Sequence, residues 1–162
     1  MKTLIFGALM GLFGSLAIAL SSAIAWPAWV LFLAWVCFYL YGRSPKRILI
    51  IYFQIMLGVL LSIVMQTVGI MLSKTFGEIG QYVSIFVFVG SLAFLIKEKH
   101  LHDLTAWFLG FVVFFGTETD VSAFPILKNI LGPLATGFML GYIVDKIAVT
   151  FVHSTPAHQQ NP

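Results

Sequence analysis

The charged residues of this chain are confined to short islands, and that confinement decides which solvent the fold is built for. The islands are Lys2, Arg43–Arg47, Lys74–Glu78, Lys97–Asp103, Glu118–Lys128 and Asp145–Lys146. Between them run stretches of Leu, Ile, Val, Phe, Ala and Gly without a single Asp, Glu, Lys or Arg. A charge held at the centre of a bilayer costs on the order of 2.5 kcal/mol or more. Spacing of this kind therefore divides the chain into six candidate membrane spans. Charged residues make up 9% of the 162-residue chain and hydrophobic residues 60%, whereas a soluble domain carries about 25% charged residues.

The remaining composition narrows the class. The net charge is +3, but the basic residues flank spans rather than share one face, so a nucleic-acid partner is not expected. Cys37 is the single cysteine, which excludes a disulfide framework or a cysteine metal site within one chain. No cofactor is expected. Lys2, an apolar run and Ala23-Ile24-Ala25 imitate a secretory signal. The run is about 20 residues long, more than a usual signal core, so it reads as the first span.

Thr3 to Gly42 is forty residues without a charge, about twice the ~20 needed for one crossing. Trp26-Pro27 supplies the break, because proline disfavours helix at the residue before it and is accepted in a first turn. The six spans then read as 3–24, 27–42, 48–73, 79–96, one beginning near Leu104, and 129–151. The fold expected is all-α and polytopic: residues 1–152 form one six-helix transmembrane domain, and 153–162 form a disordered polar tail. The odd count of three spans in each half, one to three and four to six, is suggestive of an inverted three-plus-three arrangement, though no residue register supports it. With the N-terminus inside, cytoplasmic segments hold Lys2, Arg43, Lys46, Arg47, Lys97, Lys99 and Lys146, against Lys74 and Lys128 outside. That asymmetry places both termini in the cytoplasm.

Trp26-x-x-Trp29, Phe32 and Tyr39, a Gly58-containing third span, Phe108-Leu-Gly110 with Phe114-Phe-Gly116, and Gly137-Phe-Met-Leu-Gly141-Tyr142 occur in that order. Over about residues 5–148 this series resembles the small bacterial inner-membrane family labelled domain of unknown function 1097. The resemblance implies a multi-pass inner-membrane protein and carries over no substrate or site. The chain departs from it at Glu118-Thr-Asp120, where a more neutral, Gly-rich stretch is implied.

Four constellations stand out. First, the uncharged run Leu104–Thr117 is fourteen residues, about 21 Å of helix against ~30 Å of hydrocarbon. Glu118 and Asp120 therefore either ring the mouth of a pathway or sit as solvated loop acids near Lys128. Second, Gln54, Gly58, Ser62 and Gln66, continued by Gly69, recur at helical spacing on span three. They line a route for a small polar solute or serve as hydrogen-bonding and packing contacts between helices. Third, Gly7-x-x-x-Gly11 and Gly137-x-x-x-Gly141 permit close helix approach, to each other or to a second protomer, with packing inside one protomer the expectation. Fourth, His100-Leu-His102-Asp103 has metal-ligand or pH-sensing residue types, but Lys97 and Lys99 beside it favour a solvated loop.

No nucleophile–base set, phosphate loop or HExxH motif is present, so an enzyme is not expected. The reading is a homo-oligomeric transporter or channel for an unidentified small solute, embedded in the lipid bilayer. The alternative is a non-transporting structural or accessory subunit that binds a partner protein through its Gly-rich helix faces.

Overall fold

The computed structural model describes residues 2–99, 101–118 and 123–153, all of it helix and connecting turn. Helix α1 spans Lys2–Ile24, α2 Ala28–Leu40, α3 Pro45–Phe76, α4 Glu78–Leu95 and α5 Leu104–Gly116. A single turn, α6 (Ala123–Ile126), runs through a π-helical stretch at Leu127–Leu131 into α7 (Gly132–His153). Pro133 accounts for the π-helical stretch. It has no N–H to donate to the carbonyl four residues earlier, and its ring crowds that carbonyl, so the hydrogen-bond register widens just before it.

Among the described residues four helical segments, Thr3–Ile24, Pro45–Phe76, Glu78–Leu95 and Lys128–Thr150, are long and apolar enough to cross a membrane. Helices α2 and α5 are apolar but have 13 residues each, about 20 Å of rise. The second span is thus shorter than the 27–42 expected. At its end Gly42 and Arg43 adopt positive φ, +91° and +59°, and the Arg43 N–H reaches back to the Phe38 carbonyl at 3.2 Å. That is a left-handed helix stop with glycine at the position that favours it. The third span is longer than expected, beginning at Pro45, because proline is preorganised for a first helical turn.

The structure groups into two compact units, Met1–Pro45 with Pro133–Pro162, and Lys46–Gly132. Three main helices fall in each unit, but not as consecutive halves. Helices α1, α2 and α7 make the first, and α3, α4 and α5 belong to the second.

In the first unit α1 and α2 form a hairpin. Ala25 takes the left-handed position (φ +56°), and the Trp26 N–H donates to the Ser21 carbonyl at 2.8 Å. The buried centre is Ala17, Leu31, Trp35 and Val144, with Met10, Phe13, Phe32, Tyr39 and Leu140 around it. Helix α7 lies close against α2. A Cβ built on Gly137 would press on the Leu31 carbonyl and Ala34, and one on Gly141 on the Phe38 ring. Asp145 pairs with Arg43 at 3.1 Å rather than with its sequence neighbour Lys146. The Arg43 guanidinium also lies 5.0 Å from the centre of the Tyr39 ring.

In the second unit α3 and α4 form a hairpin through Gly77 (φ +62°). Gly80 sits on the backbone of Leu72 and Ser73, and the Ser84 hydroxyl donates to the Met65 carbonyl at 2.6 Å. Helix α5 crosses α3 glycine to glycine. A Cβ on Gly58 would meet Trp107 and Gly110 backbone, and one on Gly110 would meet Ile55, Gly58 and Val59 backbone. Leu92, Trp107 and Phe111 form the buried centre.

Candidate functional site

The stripe on α3 is turned towards neighbouring helices. Gln54 and Ser62 have no exposed surface. The Gln54 Oε1 accepts from the Asp103 backbone N–H at 3.1 Å, and the Asp103 Oδ1 accepts from the Ala106 N–H at 3.1 Å. Asp103 is therefore the N-cap of α5, satisfying one of the first-turn N–H groups that a helix cannot satisfy internally. Gln54 ties that cap to α3. Asp103→Ala is expected to lower stability by about 1 kcal/mol, whereas Asp103→Asn, which still presents a side-chain oxygen to the Ala106 N–H, should retain most of the wild-type stability. Thermal unfolding in detergent checks the pair, and equal values for the two variants would remove the capping role.

The rest of the stripe divides between the same neighbours. Gly58 admits α5, and the Ser62 hydroxyl donates to the Gly58 carbonyl of its own helix at 2.9 Å. Gly69 lies against the Gln81 side chain of α4. Two amide atoms are left over. Among the described residues, the buried Gln54 Nε2 and Gln66 Oε1 have no hydrogen-bond partner.

The acidic island is placed only at its start. Glu118 is exposed and has φ +47°, and its N–H donates to the Phe115 carbonyl at 3.2 Å. It occupies the left-handed position that ends α5, one that glycine takes more easily. Asp120 lies outside the described residues. Among the described residues, no hydrogen bond or ion pair joins the Glu118 carboxylate to the α3 stripe.

The two glycine pairs part company. Gly137 and Gly141 are filled by α2, inside one unit. Gly7 and Gly11 have nothing within 4 Å of a built Cβ, so the intramolecular packing expected for that pair is not made among the described residues. Lys2-to-Ile24 is a helix with an outward small-residue face (Gly7, Gly11, Ser15, Ala19 all exposed).

At the histidine loop, the His102 Nδ1 lies 2.7 Å from the Lys99 carbonyl, Asp103 is engaged in capping, and His100 lies outside the described residues. Among the described residues no group of three or more His, Cys, Asp and Glu is placed to hold a metal.

Sequence reasoning passed over Ser84, Gln81 and the cap made by Asp103. Ser84 and Gln81 lie three residues apart on α4, and Gly80 beside them was the available signal, since small and polar residues mark close helix faces.

Apolar helices of this length, crossing through glycines and joined by polar contacts, define a helical membrane protein. The chain belongs to the family described as "Protein of unknown function (DUF1097)", which matches residues 6–149. No curated protein and no solved structure matches it.

Proposed function

We propose that this protein is a non-enzymatic structural or accessory subunit of the bacterial inner membrane, and that its α3-centred unit is a packed core rather than a solute route. The observation that carries the reading is the closure of the α3 stripe: Gln54 and Ser62 are wholly buried, with α5 against Gly58 and α4 against Gly69. Of its two Gly faces, the one on α7 is used internally. The open one on α1 is left for a partner helix or a second copy of the chain, because small residues let lipid-embedded helices approach closely.

Six crossings with both termini cytoplasmic fit the helix directions within each unit. Gln54 meets Asp103 and Gly58 meets Gly110, so α3 and α5 run the same way, while α4 returns through Gly77. Arg43 after α2 and Asp145 late in α7 pair, as expected if both lie on the cytoplasmic side. The 13-residue helices α2 and α5 then cross with help from flanking residues or a locally thinned bilayer.

Ser62→Cys in a Cys37→Ala background tests the core. In intact membranes it is expected to resist a small membrane-impermeant maleimide added from either side. Labelling comparable to an exposed loop cysteine would overturn the packed-core reading.

A second reading, small-solute transport, is favoured by the unpartnered Gln54 Nε2 and Gln66 Oε1, which water in a narrow route would satisfy. It predicts labelling at Ser62 together with solute flux into proteoliposomes.

A further inference from the structure

The α1–α2 hairpin holds a cleft of about 190 Å³, lined by Met10, Gly14, Phe32, Trp35, Val36 and Tyr39. Two of the lining residues carry hydrogen-bond donors with nothing to donate to. Trp35 is only 5% exposed, and among the described residues neither its Nε1 nor the buried Tyr39 hydroxyl has a partner. Buried indole N–H and phenol O–H groups normally find an acceptor, because leaving one unpaired costs about 1–3 kcal/mol. The two residues are one helical turn apart on α2, about 6 Å in rise.

Beyond Tyr39, at the same end, stands a cation. The Arg43 guanidinium lies 5.0 Å from the Tyr39 ring centre. It gives one N–H to Asp145 at 3.1 Å, and its side chain remains 56% exposed. Guanidinium groups carry five N–H donors in all. A polar gradient thus runs along the cleft: a cation at the rim, then two neutral donors, then apolar walls around Gly14 and Phe32.

We infer that this cleft is a binding site for one anionic phospholipid, with its phosphate at Arg43, an ester carbonyl within reach of the Tyr39 hydroxyl or Trp35 indole N–H, and an acyl chain along Phe32 and Gly14. The chemistry selects this occupant over a second copy of the chain. Backbone carbonyls within a helix are already engaged by its own N–H groups, whereas a phospholipid brings unpaired ester carbonyls at this depth below a phosphate. A second copy also brings another net +3 and no acid on α1 or α2 to meet Arg43. Basic pockets between membrane helices on the cytoplasmic side are suited to anionic head groups. The cleft accommodates about six water-sized volumes at ~30 Å³ each, enough for the upper part of one chain. The inference needs the protein to sit in a bilayer but does not depend on whether it transports.

Native mass spectrometry of the full chain, released from detergent with equal mole fractions of phosphatidylglycerol and phosphatidylcholine, tests it. One phosphatidylglycerol is expected to be retained over phosphatidylcholine by about fivefold, the preference worth one basic group. Arg43→Gln removes the preference. Tyr39→Phe weakens retention of both lipids while leaving their ratio. Gly14→Leu, whose Cβ would meet nothing within 4 Å and which should therefore fold, extends its side chain into the cleft and reduces retention to background. Glycerol phosphate without chains does not bind. Equal retention of the two lipids by the wild-type protein overturns the proposal, as does unchanged phosphatidylglycerol retention in Gly14→Leu. Loss of a dimer rather than of lipid in Gly14→Leu also overturns it, in favour of a protein occupant.

Discussion

Gly58→Leu is expected to destabilise the protein by more than about 3 kcal/mol, above the usual range for overpacking. At most core positions an added side chain is absorbed by rotamer changes nearby. Here the neighbours of the missing Cβ are the Trp107 carbonyl and the Gly110 Cα, both backbone. To accept a leucine, α5 must move away from α3 as a body. That motion also strains the Gln54–Asp103 bond of 3.1 Å and uncovers Trp107 and Phe111, which are 3% and 6% exposed. Gly110→Leu attacks the same crossing from the other side, so the double variant should lose much less than the sum of the single losses, as coupled contacts do. Gly7→Leu, with open space around it, is the matched control and should remain within about 0.5 kcal/mol of wild type. Unfolding by denaturing detergent, followed by helical circular dichroism, measures all four. A Gly58→Leu midpoint close to that of Gly7→Leu would mean that the α3–α5 crossing is not as close as described.

The second large effect belongs to the other unit. Gly137→Leu is expected to separate α7 from α2, because its Cβ would meet the Leu31 carbonyl, and one turn on at Gly141 there is likewise no room for a Cβ beside the Phe38 ring. The Arg43–Asp145 pair should not hold the helices together, since a half-exposed ion pair contributes at most about 1 kcal/mol. Cys37 provides a local reporter. It is the single cysteine, 1% exposed on α2, and should react slowly with maleimide in the wild-type protein in detergent. In Gly137→Leu it should label at a rate approaching that of the denatured chain. A Cys37 that remains protected would show that α2 stays covered without α7, contrary to the contacts described. Asp145→Asn should leave Cys37 protected.

Membrane residence and helix number were legible because charge avoidance in hydrocarbon is a local, one-dimensional constraint. It needs no knowledge of neighbours. The break at Trp26-Pro27 was legible for a similar reason, since proline acts on its own backbone, whereas the left-handed turns at Gly42-Arg43 and Gly77 emerged only from the structure. The lengths of α2 and α3 were misjudged by a few residues at their ends, where Gly42 stops one helix early and Pro45 starts the next.

Partner choice was not legible. Gly7-x-x-x-Gly11 and Gly137-x-x-x-Gly141 have the same spacing, yet one pair is open and the other is filled by α2. A small-residue motif says only that something can come close. The α3 stripe shows the same limit. Its period identified one face from Gln54 to Gly69, but not that Gln54 would bond the cap of α5 or that Gly69 would receive Gln81. Asp103 drew notice as a metal-type residue beside His102, whereas its structural position makes it a helix cap.

By itself, then, the order of residues determined the solvent, the helical class and the faces available for contact, because those follow from the polarity and backbone preferences of each residue in turn. Tertiary structure alone decided that α1, α2 and α7 form one unit while α3, α4 and α5 belong to the other. It also left Trp35 and Tyr39 beside a cleft with donors unspent. Those outcomes depend on which glycine meets which backbone across distant parts of the chain, and contact between surfaces is not a property of either surface alone.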